Sequence, residues 1–154
     1  MISLSDINYL RRCVDLAREA VDAGDAPFGS ILVNAAGEIL QEARNRVTTE
    51  EDITLHPEFT LVIWAQKHLS PTERATTTVY TSGEHCPMCA SAHAYADLGR
   101  IVYVSSSAQL VQWRREFGVK SGPVAPLPIG QVAPGLVVDG PVPGLDEEFA
   151  IDGT

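Results

Sequence analysis

The chain has 154 residues, 45% of them hydrophobic and 20% charged, the balance of a folded domain rather than a disordered segment. Eleven Lys and Arg stand against 20 Asp and Glu, a net charge of −9 that repels phosphate backbones and anionic membranes. Nucleic acid and membrane surfaces are therefore poor partners. The longest apolar run, residues 59–65, is broken by Thr60 and falls far short of the roughly 18 residues of a bilayer span. The start of the chain shows neither the basic region nor the apolar core of a secretory signal, and three cysteines are too few for a disulfide framework. A cytoplasmic location is expected.

Ile7, Leu10, Val14, Ala17 and Val21 recur at spacings of three and four, the apolar stripe of an amphipathic helix. Ser5 or Asp6 would cap it and Gly24 would close it. Cys13 lies beside the stripe and reads as a small core residue. Residues 28–33 read as a buried strand, 34–37 as a hairpin turn and 38–46 as the antiparallel return. A polar loop over 47–53 leads to a helix over 55–69. Residues 76–81, rich in β-branched side chains, predict a third strand. A helix over 87–98, stopped by Gly99, and a strand over 101–104 follow. Strand, crossover helix and strand in sequence imply a parallel pair.

Residues 108–117 predict one more helix. Beyond Gly118 the composition changes: residues 122–144 hold six of the ten prolines and five of the twelve glycines. Such a tail wraps a surface, with an edge strand expected near Leu127 and a short acidic helix over 145–151. The expected whole is a single α/β domain over 1–154. Its core spans about 5–120, its tail runs over 121–154, and one mixed sheet carries helices on its faces.

The chemistry concentrates in two helix starts. In Cys86-Pro87-Met88-Cys89, Pro87 suits the first helical position, where a missing N–H costs nothing. Cys86 then becomes the N-cap and Cys89 the third helical residue, and the positive helix end favours thiolates there. Thirty residues earlier, His56 and Glu58 flank Pro57 at the start of another helix. Two residues apart is roughly 200° around a helix axis. Both side chains can therefore address one point only from beyond the helix end. One His and two Cys make a three-ligand zinc set with an open fourth position, and Glu58 would stand beside the water bound there.

His56-x-Glu58 followed by Cys86-Pro87-Met88-Cys89 resembles the zinc-dependent cytidine and nucleobase deaminase superfamily, nearest to the branch of guanine, cytosine and bacterial tRNA adenosine deaminases. The resemblance spans about residues 7–105. It includes Pro27-Phe28-Gly29, Asn45 and Tyr80-Thr81-Ser82. It implies a three-layer α/β/α fold with about five strands, one zinc ion per subunit with a catalytic water, and a homodimer. It also implies hydrolytic release of ammonia from a free nucleobase, with Glu58 carrying protons. Asn45 would hydrogen-bond the base, and Phe28 and the His56 ring are candidates to hold its edge or face. A C-terminal lid in relatives points to Asp146, Glu147, Glu148 and Phe149 here, with a disordered acidic end as the alternative.

Two departures bear on substrate. Pro57 stands where relatives carry an N–H that donates to the substrate, and Gly83-Glu84-His85 replaces Cys-Glu-Pro. A modified base is thus the expected preference, with His85 a titratable donor at the pocket's edge or else an exposed loop residue. Glu84 would orient its loop or bind substrate. His93 fits a packing position, and Trp64 and Trp113 fit core or interface positions. The competing functions are tRNA adenosine or cytosine/cytidine deamination, a Cys86–Cys89 dithiol redox protein, and a structural zinc module with His85 or His93 as fourth ligand.

Overall fold

The structure, a computed structural model, describes residues 1–146. Helix α1 (Leu4–Asp22) opens on Ser3, whose hydroxyl accepts from the Asp6 N–H while the Asp6 carboxylate accepts from the Ser3 N–H. The cap is thus Ser3, and Asp6, expected as a cap itself, is its reciprocal partner. Strand β1 (Gly29–Val33) turns through Asn34 and Gly37 into the antiparallel β2 (Ile39–Arg44). Asn34 Oδ1 accepts from the N–H groups of Ala36 and Glu38, and Gly37 supplies a φ of 84°. The expected polar loop contains a short helix, α2 (Val47–Glu50).

Helices α3 (Pro57–His68) and α4 (Pro71–Ala75) precede β3 (Thr78–Gly83). Then come α5 (Pro87–Tyr95), β4 (Arg100–Ser105) and α6 (Ser107–Glu116). Helix α5 ends before Gly99, at a turn where Asp97 takes a φ of 57°. The tail has no strand at Leu127. Instead it forms α7 (Ile129–Val132) and a two-residue strand, β5 (Val138–Asp139), parallel to β4. The acidic helix expected over 145–151 falls largely, and Glu147, Glu148 and Phe149 fall wholly, outside the described residues.

The five strands lie in the order β2-β1-β3-β4-β5, with β1 antiparallel to both neighbours and β3, β4 and β5 parallel. Successive side chains on a strand face opposite sides, so each strand feeds two cores. Ile31, Val33, Tyr80, Val102 and Val104 pack against Leu10, Cys13, Val14 and Ala17 of α1, with Leu110 and Trp113 of α6 at the margin. On the other face, Leu32 and Val79 pack against Leu61, Val62 and Ala65 of α3, while Ala90 of α5 packs with Ile101, Tyr103 and Ile129. This is an α/β/α sandwich. Gly29 lets α1 lie flush on β1, since a Cβ there would fall 2.4 Å from Leu16 Cβ. Among the described residues no helix is long and apolar enough to cross a membrane.

Candidate active site

Helices α3 and α5 share one face of the sheet, and the N-cap of each carries a candidate ligand. His56 caps α3 in an extended conformation (φ −73°, ψ 140°) and Cys86 caps α5 likewise (φ −68°, ψ 167°). Neither side chain bonds its own helix end. Proline at the first helical position of each removes one orphan N–H, which leaves the cap side chains for another partner. Cys89, at the third position of α5, is fully buried.

The three ligand atoms converge. His56 Nδ1 lies 3.6 Å from Cys86 Sγ and 3.5 Å from Cys89 Sγ. A tetrahedral ion with bonds of about 2.3 Å to sulfur and about 2.0 Å to nitrogen would set such atoms about 3.5 Å apart. All three atoms lie within 4.8 Å of one another, and neither His85 nor His93 joins the group. The donor set therefore fits zinc.

Electrostatics support the same reading. The Cys86 thiol is lowered to about 4, first by its hydrogen bond with Cys89 and then, against burial, by His56. Cys89 is pushed far up, by Cys86 and then by burial, because two adjacent thiols share one negative charge until a cation arrives. His56 is raised, chiefly by Cys86. Glu58, the second residue of α3, is 6% exposed, and burial raises its carboxyl to about 7 although the His56 charge opposes this. Its Oε1 lies 3.2 Å from Ser30 Oγ.

Asn45 is buried at the end of β2. Its N–H donates to the Phe28 carbonyl (3.0 Å) and its Oδ1 accepts from the Val47 N–H (3.0 Å). The next residue, Arg46, donates its N–H to the carbonyl of Leu55, the neighbour of His56, which ties this segment to the start of α3. The Phe28 ring packs on Gly83 and the α1-side core. Pro57 is buried at the start of α3.

The folded chain shows what surrounds Glu84 and His85. The Glu84 carboxylate ties its loop to two others, its Oε1 accepting from the Ser107 N–H and its Oε2 from the Ile129 N–H, each at 2.8 Å. His85 is no exposed loop residue. It is 1% exposed, neither ring nitrogen has a hydrogen-bond partner, and its ring stands edge-on to His93 at 5.4 Å. Burial, then His93, holds it well below the ordinary range, so it is neutral and not a titratable donor at a rim. His93 is a packing residue, its Nε2 2.7 Å from the Gly99 carbonyl. Trp64 stacks on His68 beside the α3-side core. Ser30 escaped sequence reading, and its one signal is a hydroxyl within the apolar Gly29–Val33 strand.

Residues 4–105 match the model of the cytidine and deoxycytidylate deaminase zinc-binding region. The chain is 33% identical over 126 residues to a probable cytosine deaminase of Schizosaccharomyces pombe, covering 82% of this chain and 74% of that one. It is 40% identical over 98 residues to the guanine deaminase of Bacillus subtilis, covering 63% of this chain and 62% of that protein. The tRNA-specific adenosine deaminase of the same organism is 32% identical over 95 residues, 62% of this chain and 58% of the relative. The solved B. subtilis guanine deaminase superposes with a TM-score of 0.60 at 35% identity, over 68% of this chain and 67% of that one. A guanine deaminase structure from Nitrosomonas europaea reaches 0.74 over 99% and 83% of the two chains at 19% identity, a likeness of fold. With the match covering well over half its length, this chain belongs to the zinc-binding cytidine and deoxycytidylate deaminase family.

Proposed function

We propose that the protein is a hydrolytic deaminase of a free nucleobase or related amino-bearing heterocycle. The observation that carries this reading is the convergence of His56, Cys86 and Cys89, with three ligands and no fourth from the described residues, beside a buried carboxyl at Glu58. A structural zinc module would need that fourth ligand. A dithiol would leave the approach of His56 without purpose.

Zinc held by His56, Cys86 and Cys89 would supply a water acidic enough to attack a ring carbon near neutral pH. Glu58 would take a proton from the attacking water and pass it to the ring nitrogen beside the amine-bearing carbon. It would then take the proton of the hydroxyl added to that carbon and deliver it to the amino group, which leaves as ammonia as the C–N bond breaks and the carbonyl forms. Without a metal, burial raises the Glu58 carboxyl to about 7, so it holds a proton more readily than an exposed carboxylate. The Oδ1 of Asn45 is taken by Val47, so its amide NH₂ is the end left to donate to a base acceptor. Pro57 offers no N–H, and a substrate carbonyl facing it would go unpaired at about 1–3 kcal/mol. That favours a modified base over plain guanine, the substrate named for the 40%-identical relative. The −9 charge argues against a tRNA substrate.

Ammonia release across guanine, cytosine, adenine, modified bases and their nucleosides tests the reading. At least one free base should be turned over. Glu58→Gln should lose about a hundredfold or more of that activity while retaining zinc by metal analysis. Turnover untouched by Glu58→Gln would refute it, and guanine outperforming every variant base would refute the modified-base preference.

A further inference from the structure

Ser30 sits fully buried on the interior strand β1, directly opposite Thr81 in the antiparallel β1–β3 register. Its neighbour Leu32 joins the α3-side core, so by strand alternation Ser30 faces the same helix. Its hydroxyl lies 3.2 Å from Glu58 Oε1 and 2.8 Å from Thr81 Oγ1, and Thr81 Oγ1 in turn lies 3.1 Å from the Gly83 carbonyl. A buried hydroxyl in an otherwise apolar strand is kept only where its hydrogen bonds are satisfied. Here each partner belongs to one chain that begins at Glu58.

The proton count gives that chain a direction. The Gly83 carbonyl can only accept, so the Thr81 hydroxyl donates to it, and Ser30 keeps one proton to place. Ser30 can donate to Glu58, or it can accept from Glu58 and donate to Thr81. When Ser30 donates to Glu58, its contact with Thr81 holds a proton only if the Thr81 hydroxyl turns from the Gly83 carbonyl to Ser30; in each arrangement the Ser30–Glu58 hydrogen bond is kept. The far end is fixed by the backbone of β3, which is a rigid anchor for a side chain that must be aimed.

We infer that Ser30, anchored through Thr81 to the Gly83 carbonyl, is a positioning residue that holds Oε1 of Glu58 and thereby aims the other carboxyl oxygen at the reacting atoms. This rests on the reading of Glu58 as the proton carrier. The side-chain hydrogen bonds of Ser30 run to Glu58 and Thr81 and not to His56, Cys86 or Cys89, so it acts through Glu58. Displacing a proton-transfer group by a fraction of an ångström slows the chemical step while leaving substrate affinity in place.

The test compares zinc-loaded wild type, Ser30→Ala, Thr81→Val and Thr81→Ser, with ammonia release from guanine or the best base found as the rate measurement. Ser30→Ala should lower kcat by about tenfold with KM and zinc content unchanged. Thr81→Ser, which keeps the hydroxyl, should lose less than Thr81→Val, which is isosteric and lacks it. Crystals of zinc-loaded Ser30→Ala should show the Glu58 carboxyl turned or split between rotamers. Wild-type kcat in Ser30→Ala, or a Glu58 carboxyl unmoved in those crystals, overturns the inference. Absence of ammonia release by the wild type, or full activity in Glu58→Gln, would instead bring down the reading of function, and the crystal comparison would still decide what Ser30 does.

Discussion

His56 and Cys86 occupy positions that ordinarily belong to Ser, Thr, Asp or Asn, whose oxygens satisfy the helix's free N–H groups. The prolines that follow them reduce that demand, and this part of the site was legible because motif and helix start coincide in the sequence. Glu84 was not legible in the same way. Its two partners lie 23 and 45 residues further on, and only the folded chain brings both N–H groups to one carboxylate. Removing it strands two donors, so Glu84→Ala should cost about 1–3 kcal/mol of stability. Urea unfolding would register a lower midpoint, with Glu84→Gln intermediate because an amide keeps one acceptor. An unchanged midpoint together with a raised KM would return Glu84 to the substrate.

Apolar periodicity, helix-start prolines and strand patterning made α1, α3, α5, α6 and the first four strands readable before folding. The elements that were missed have no period of their own. Helix α2 is four residues long with no buried side chain. It is held from outside, as Asp25 accepts from the N–H groups of Thr48 (3.0 Å) and Thr49 (2.9 Å) and from the Thr49 hydroxyl (2.8 Å). Strand β5 is likewise two residues that β4 supplies with a pairing edge. Since Val47 opens α2 and bonds Asn45, the clamp at Asp25 also fixes the proposed base-binding amide. Asp25→Ala should speed hydrogen exchange at the Thr48 and Thr49 amides and raise KM more than it lowers kcat. Protected amides with an unaltered KM would show that α2 stands without the clamp.

Across the whole molecule, one charged cluster joins the first turn of α1 to three strands. The Arg100 guanidinium donates to Asp139 (2.9 Å) and to both Asp6 oxygens (3.0 and 3.2 Å), and the Tyr80 hydroxyl donates to Asp6 (2.6 Å). Burial alone would raise the Asp6 carboxyl. The bonds from Arg100, Tyr80 and the Ser3 N–H outweigh it and hold the group well below its ordinary 3.8. A carboxylate lowered in the folded state binds its proton more readily when unfolded, so its stabilisation is complete above the unfolded value. That stabilisation drains away as pH falls from about 4 toward the lowered folded value. Asp6→Asn keeps the shape and discards the charge. The variant should therefore be less stable than wild type at pH 7, and the gap should narrow between pH 4 and pH 2. Urea unfolding at pH 7, 4 and 3 measures it. A gap that stays constant across that range would mean Asp6 stabilises the α1–sheet junction through packing and not through its charge.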